Sequence, residues 1–91
     1  MKYHNWDIEK NRKLKETRNI SFEEILFCIR NNGLLKIIEH PNRDKYSNQK
    51  MYVLECKDYF YLVPFVETED EVFMKTIIPS RKVKKKYGRG N

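Results

Sequence analysis

The stretch that decides the fold is Met51-Tyr-Val-Leu-Glu-Cys56, Lys57-Asp58, Tyr59-Phe-Tyr-Leu-Val-Pro-Phe-Val66. Two runs rich in β-branched and aromatic residues flank a polar dipeptide, the pattern of a β-hairpin. No glycine stands in the Lys57-Asp58 turn, although primed turns usually recruit one. Pro64 is a tension within the second run, because proline demotes a strand to an edge or a bulge. Downstream, Glu67-Thr-Glu-Asp-Glu71 reads as an acidic turn and Val72 to Ile78 as a further strand ended by Pro79-Ser80. Upstream, Leu34 to Glu39 reads as a strand, and His40 to Asn48 as a polar loop.

The N-terminal third has helical punctuation instead. Asp7 can cap a helix from Ile8 to about Arg18, with Glu9 in its first turn. That helix is poor in apolar residues beyond Ile8 and Leu14, so it docks by a narrow stripe anchored by Trp6. Asn19-Ile20 breaks the pattern, and Ser21-Phe-Glu-Glu24 forms a capping box in which Ile20 can staple Ile25. Ile25, Leu26 and Ile29 then share one face, and Gly33 is a natural stop. The expected architecture is α+β: two N-terminal helices packed on a four-stranded antiparallel sheet, with a short basic C-terminal helix or arm. Residues 1–87 form one domain, and 88–91 read as a flexible tail.

The chain has 91 residues, 40% hydrophobic and 13% aromatic, enough for one modest core. Its formal charge of +6 is unevenly placed. Met1 to Lys75 holds thirteen basic and thirteen acidic residues, whereas Thr76 to Asn91 holds six basic residues and no acid. A basic end on a neutral body suggests a polyanionic partner. The polar start lacks a secretory pattern, and the longest apolar run, Tyr59 to Val66, is far too short to span a bilayer. Cys28 and Cys56 are isolated, and they read as reduced core thiols in a cytoplasmic protein rather than activated nucleophiles or a disulfide scaffold. His4 and His40 lie far apart with no Cys/His cluster, so they read as structural, and neither a metal nor another cofactor is expected. No phosphate-cradling glycine loop or nucleophile elbow is present.

Two constellations carry possible chemistry. In Lys75-Thr-Ile-Ile-Pro-Ser-Arg81, strand alternation places Lys75 on the face of Phe73 and Ile77, with Arg81 just past the strand end. Two cations so placed can grip a phosphate, and the arginine fork suits its oxygens. The plainer reading is a solvated lysine and a turn-capping arginine. In Lys82-Val-Lys-Lys-Lys-Tyr87, Lys82, Lys84, Lys85 and Lys86 can neutralise phosphates while Tyr87 stacks on a base. The plainer reading there is a solubilising terminus.

Trp6-Asp-Ile-Glu-Lys-Asn11, Ile20-Ser-Phe-Glu-Glu24, Tyr61-Leu-Val-Pro-Phe65 and Lys75-Thr-Ile-Ile-Pro-Ser-Arg-Lys82, in that order, resemble the BrnT-like toxins of type II toxin–antitoxin pairs. The resemblance runs from about Tyr3 to Tyr87 and implies a fold related to the RelE/ParE ribonuclease toxins. It implies a cytoplasmic endoribonuclease that cleaves messenger RNA without metal and is neutralised by a cognate antitoxin, with DNA contacted only as the toxin–antitoxin complex. On that resemblance Arg81 stabilises the scissile phosphate, Lys75 assists and Lys10 adds a contact. The resemblance names no base; Tyr87 or a glutamate such as Glu55 could serve only with a shifted pKa. Lys10, Arg18 and Lys82 to Lys86 would hold RNA. One departure stands out. BrnT-type chains often carry Lys-His-Gly before the capping box, and this one has Thr17-Arg18-Asn19, whose arginine cannot act as a base. The rival expectation is a non-catalytic module that binds an antitoxin or nucleic acid, as a co-repressor, an inactive relative or a ribosome-associated protein.

Overall fold

The computed structural model describes residues 2–39, 42, 44–45 and 49–83. Strand β1 (Tyr3–Trp6) leads into α1 (Ile8–Arg18) and α2 (Phe22–Cys28), followed by a π-helical turn, Ile29–Gly33. Five further strands follow: β2 (Leu34–Glu39), β3 (Gln49–Cys56), β4 (Tyr59–Glu67), β5 (Glu71–Met74) and β6 (Ile78–Pro79). They form one mixed sheet in the order β1-β5-β4-β3-β2, with β6 also paired to β4. The class is α+β, as expected, and the antiparallel meander β2 to β5 is the expected one.

Local chemistry sets the helix ends. Asp7 Oδ1 accepts from Lys10 N at 3.0 Å, and Ser21 Oγ accepts from Glu24 N at 3.1 Å, so both N-caps form where the residue types call for them. Asn19, at φ 54, ends α1 in the left-handed conformation that asparagine tolerates. The central hairpin turns on Lys57 and Asp58, at φ 55 and 63, so a primed turn forms without glycine. Lys57 is held there by its Nζ, which donates to Glu24 Oε2 at 2.8 Å and to Asn19 O at 3.4 Å.

Three expectations are corrected. First, the sheet is not four-stranded and antiparallel: among the described residues it has six strands, and Tyr3–Trp6 pairs in parallel with β5 from Tyr3↔Glu71 to Trp6↔Met74. Its pairing is pinned from outside the ladder, since Lys2 reaches Glu67 at 2.6 Å and Asn5 donates to Glu71 at 3.1 Å. Second, the strand expected over Val72 to Ile78 breaks after Met74 and resumes at Ile78. Pro64 is the reason. Lys75 N donates to Pro64 O at 2.8 Å, so the vacant amide position of Pro64 points toward β5, where the ladder loses its return bond. Third, Cys28 and Cys56 are not free thiols; they are joined in a disulfide across a sequence separation of 28.

The main core lies between the helices and one sheet face: Leu14, Ile20, Phe22 and Ile25 against Tyr52, Leu54, Val63, Phe65, Val72, Met74 and Ile77. Trp6 stacks on Phe22 at 5.6 Å between ring centroids, so it anchors α2 as well as leading into α1. Ile77 therefore belongs to the helix side and does not share a face with Lys75, because the irregular residues between β5 and β6 shift the alternation.

Asn11 is the buried polar link between the helices. Its Oδ1 accepts from Phe22 N at 2.8 Å, and its Nδ2 donates to Glu23 Oε1 at 2.7 Å. Nothing in the local pattern distinguishes it from other asparagines on a charged helix. Asn11→Leu strands the amide of Phe22, which is completely buried, and is expected to cost about 2–3 kcal/mol by urea denaturation. A loss below roughly 0.5 kcal/mol would mean the amide finds another partner.

Gly33 is required for space rather than for handedness. A Cβ there would lie 2.5 Å from Glu55 O and 2.6 Å from Cys28 O, both backbone atoms. The left-handed residue is its neighbour Asn32, at φ 69. Gly33→Ala is expected to lose about 1–3 kcal/mol in the same measurement, and an unchanged midpoint would refute the close approach.

Candidate nucleic-acid interface

The sheet face away from the helices is covered in part by the chain itself. Ser80 N donates to Phe60 O at 3.0 Å, and Ser80 Oγ accepts from Val83 N at 3.2 Å, so serine caps a helical turn over residues 81–83. That turn lays Val83 onto Val53 and Phe60 in a second, smaller core, with Ile38 and Leu62 beside it. Between these residues lies a groove of about 210 Å³ with an apolar floor of Ile38, Val53, Leu62 and Val83, edged by Lys36, Ser80 and Lys82.

Arg81 begins the capped turn and is exposed. Lys75 is on the same helix-free side: Phe73 alternates with the core residues Val72 and Met74, and the Lys75 ammonium sits 5.6 Å from the Phe73 ring centroid. The pairing of lysine with phenylalanine expected from alternation is therefore present. Among the described residues, Lys36, Lys75, Arg81 and Lys82 enter no ion pair; elsewhere Arg12 pairs with Glu9 and Glu16, Lys57 with Glu24, and Lys2 with Glu67, whereas Lys10, Lys13, Arg18 and Arg30 are unpaired as well. Of the four on this side, Lys36 and Lys82 edge the groove, and Lys75 and Arg81 do not line it. Unpaired cations attract phosphate through counterion release and are not already neutralised by the protein.

The other residues proposed from the sequence fall in different places. Lys10 and Arg18 lie one turn either side of Leu14 on α1, across the sheet from Lys75 and Lys82, so the structure does not unite them with that face. Arg18 has a simpler role there, a cation in the last turn of a helix. Tyr87, Lys84, Lys85 and Lys86 lie outside the described residues, as does His40. Glu55 follows Val53 by two residues on β3 and so faces the same side, opposite Phe60 in the ladder. Lys36 was missed from the sequence. The signal was the register of Lys36 against Val53, which a lone run of Leu34 to Glu39 does not disclose.

His4 is committed to the helix side. Its Nε2 lies 3.2 Å from Tyr52 Oη, and burial, then the Arg30 charge, hold its pKa below the ordinary 6.5. Burial in turn pushes the Tyr52 hydroxyl up. The Glu24 carboxyl is held below its ordinary 4.5 chiefly by the bond from Lys57, and that of Glu23 chiefly by the bond from Asn11. His4, Glu23 and Glu24 are depressed in the folded state, so each contributes stability above its unfolded value and loses it as pH falls. Stability is expected to be flat near neutrality, to decline first as pH drops through 6.5 with His4, and to fall again below 4.5 with the carboxylates. Urea midpoints across that range check this, and His4→Gln should remove the upper step only.

Compared with protein-family models, curated proteins and solved structures, the chain finds no match. Among the described residues no helix is long and apolar enough to cross a membrane.

Proposed function

We propose that this chain is the toxin of a type II toxin–antitoxin pair, a metal-independent endoribonuclease that cleaves messenger RNA in the cytoplasm and is neutralised by a cognate antitoxin. One observation carries the reading: four cations without ion-pair partners among the described residues, Lys36, Lys75, Arg81 and Lys82, on the side of the sheet free of helices. The resemblance of the Lys75 to Lys82 segment to BrnT-like toxins supports Lys75 and Arg81 among them.

In this mechanism the RNA 2′-hydroxyl attacks the adjacent phosphorus, the 5′-oxygen leaves, and a cyclic phosphate remains. Positioning and charge stabilisation supply most of the rate. Arg81 meets the phosphate oxygens through its fork, and Lys75 adds a point charge beside them. Lys36 and Lys82 hold the flanking backbone. The proton of the attacking hydroxyl passes to the Glu55 carboxylate or to Tyr87 in its phenolate form, the departing 5′-oxygen takes a proton from water, and single variants of the two separate those routes.

A specific observation favours a second reading. His4 is committed to Tyr52 on the opposite face, and the groove floor is apolar, which suits a protein side chain as well as a nucleotide. On that reading the face binds a partner without cleaving RNA. Purified protein incubated with RNA in EDTA decides between them: fragments ending in a 2′,3′-cyclic phosphate support the ribonuclease. Intact RNA at micromolar protein overturns it.

A further inference from the structure

The Cys28–Cys56 bond has no part in the phosphate chemistry, yet it occupies a distinctive place. It joins the last residue of α2 to the last residue of β3, with 5.5 Å between Cα atoms. The closed loop contains the π-helical turn and all of β2. Among the described residues β2 is an edge strand with β3 as its one ladder partner, and its register slips between Leu34 and Lys36. A cavity of about 480 Å³ opens beside the bond, lined by Glu23, Glu24, Phe27, Cys28, Cys56 and Lys57. Phe27, 67% exposed, stands at this cavity. The two cysteines differ in access. Cys56 is 2% exposed, whereas Cys28 is only half-buried.

We propose that Cys28–Cys56 is a thiol–disulfide exchange site at which a small monothiol attacks Cys28, and that opening it unfastens the edge strand β2. The incoming thiolate bonds to Sγ of Cys28, the Sγ–Sγ bond breaks, and Cys56 leaves as the thiolate, which takes a proton from water. A second thiolate then attacks its own kind in the mixed disulfide, releasing Cys28 as a thiolate and the small disulfide as the oxidised product. Access sets the direction: attack must come at the sulfur that solvent reaches, and the buried sulfur is the one displaced. The consequence for β2 follows from topology. Once the bond opens, that strand is retained by a single ladder, and it carries Lys36 and Ile38 of the groove on the other face. A disulfide in a protein working in a reducing compartment is typically one that opens and closes. That last point rests on the cytoplasmic reading above, whereas the exchange chemistry does not.

The test uses the full chain, oxidised in air and checked for order by circular dichroism. It is exposed briefly to reduced glutathione, quenched with N-ethylmaleimide and digested without reduction. Glutathione should appear on the Cys28 peptide at least about fivefold more often than on the Cys56 peptide. Equal labelling, a preference for Cys56, or maleimide on both cysteines before any thiol is added would overturn the proposal. In a second arm, full reduction should speed amide exchange in Leu34–Glu39 by roughly tenfold or more relative to α1. Unchanged exchange in β2 would refute the unfastening. Neither arm involves RNA, so failure here is distinct from failure of the ribonuclease reading.

Discussion

Replacing Arg81 with alanine should lower RNA cleavage by roughly 100- to 1,000-fold, the usual loss when one preorganised donor to a developing oxyanion is removed. The substitution is clean because Arg81 is exposed and has no ion-pair partner among the described residues. Its backbone is held independently of its side chain, by Ser80 capping the turn and by Val83 seated on Val53 and Phe60. The urea midpoint should therefore stay within about 0.5 kcal/mol of the parent. Arg81→Lys keeps the charge and loses the fork, so it should fall between the two. An overexpression assay gives the cellular counterpart: growth arrest by the parent and growth with the alanine variant. Cleavage unchanged in Arg81→Ala would remove this residue from the site, whatever the fate of the ribonuclease reading.

Reducing the Cys28–Cys56 bond should destabilise the fold by about 3–4 kcal/mol, the loop-closure entropy expected for a loop of this length. For a chain of this size that corresponds to a fall in melting temperature of more than about 10 °C. The argument concerns the unfolded chain. With the bond intact, unfolding cannot separate the end of α2 from the end of β3; without it, all of the intervening conformations become available. Thermal denaturation with and without reductant measures the difference, and the double variant Cys28→Ser/Cys56→Ser in oxidising buffer should match the reduced parent to within the cost of burying one hydroxyl. A loss below roughly 1 kcal/mol would mean that the β2–β3 ladder and the π-helical turn already confine the segment in the unfolded state.

Much of the local structure was legible because its causes are local. Asp7 and the Ser21-to-Glu24 box mark their helix starts through bonds spanning three residues, and α1 runs over Ile8–Arg18 as expected. The hairpin turned on Lys57-Asp58 despite its lack of glycine, and the missing signal is tertiary. Glu24 and the Asn19 carbonyl hold the lysine ammonium from another element, offsetting two residues at positive φ. Pro64 reads as a disturbance from the sequence alone, but its effect falls on the neighbouring strand. Which strand faces the vacant amide depends on pairing, which the run itself does not specify.

The candidate site was legible only in part. The Lys75 and Phe73 pairing followed from alternation, and Arg81 from its place beyond the strand. Lys36 could not be found that way, because it joins Lys82 through the register of β2 on β3 and through the return of residues 78–83 across the sheet. Conversely, Lys10 and Arg18 matched a basic pattern but sit on the helical layer. Charge along a sequence does not say which side of a sheet it reaches.

The sequence by itself determined the helices, the central hairpin, the α+β class and the concentration of positive charge after Lys75, since capping, alternation and composition act over a few residues. Tertiary structure alone decided the parallel β1–β5 pair, the burial of Asn11, the Cys28–Cys56 bond and the grouping of Lys36 with Lys82. Each of these joins residues far apart along the chain, and such contacts exist only after the core has closed and offset the entropy of bringing their ends together.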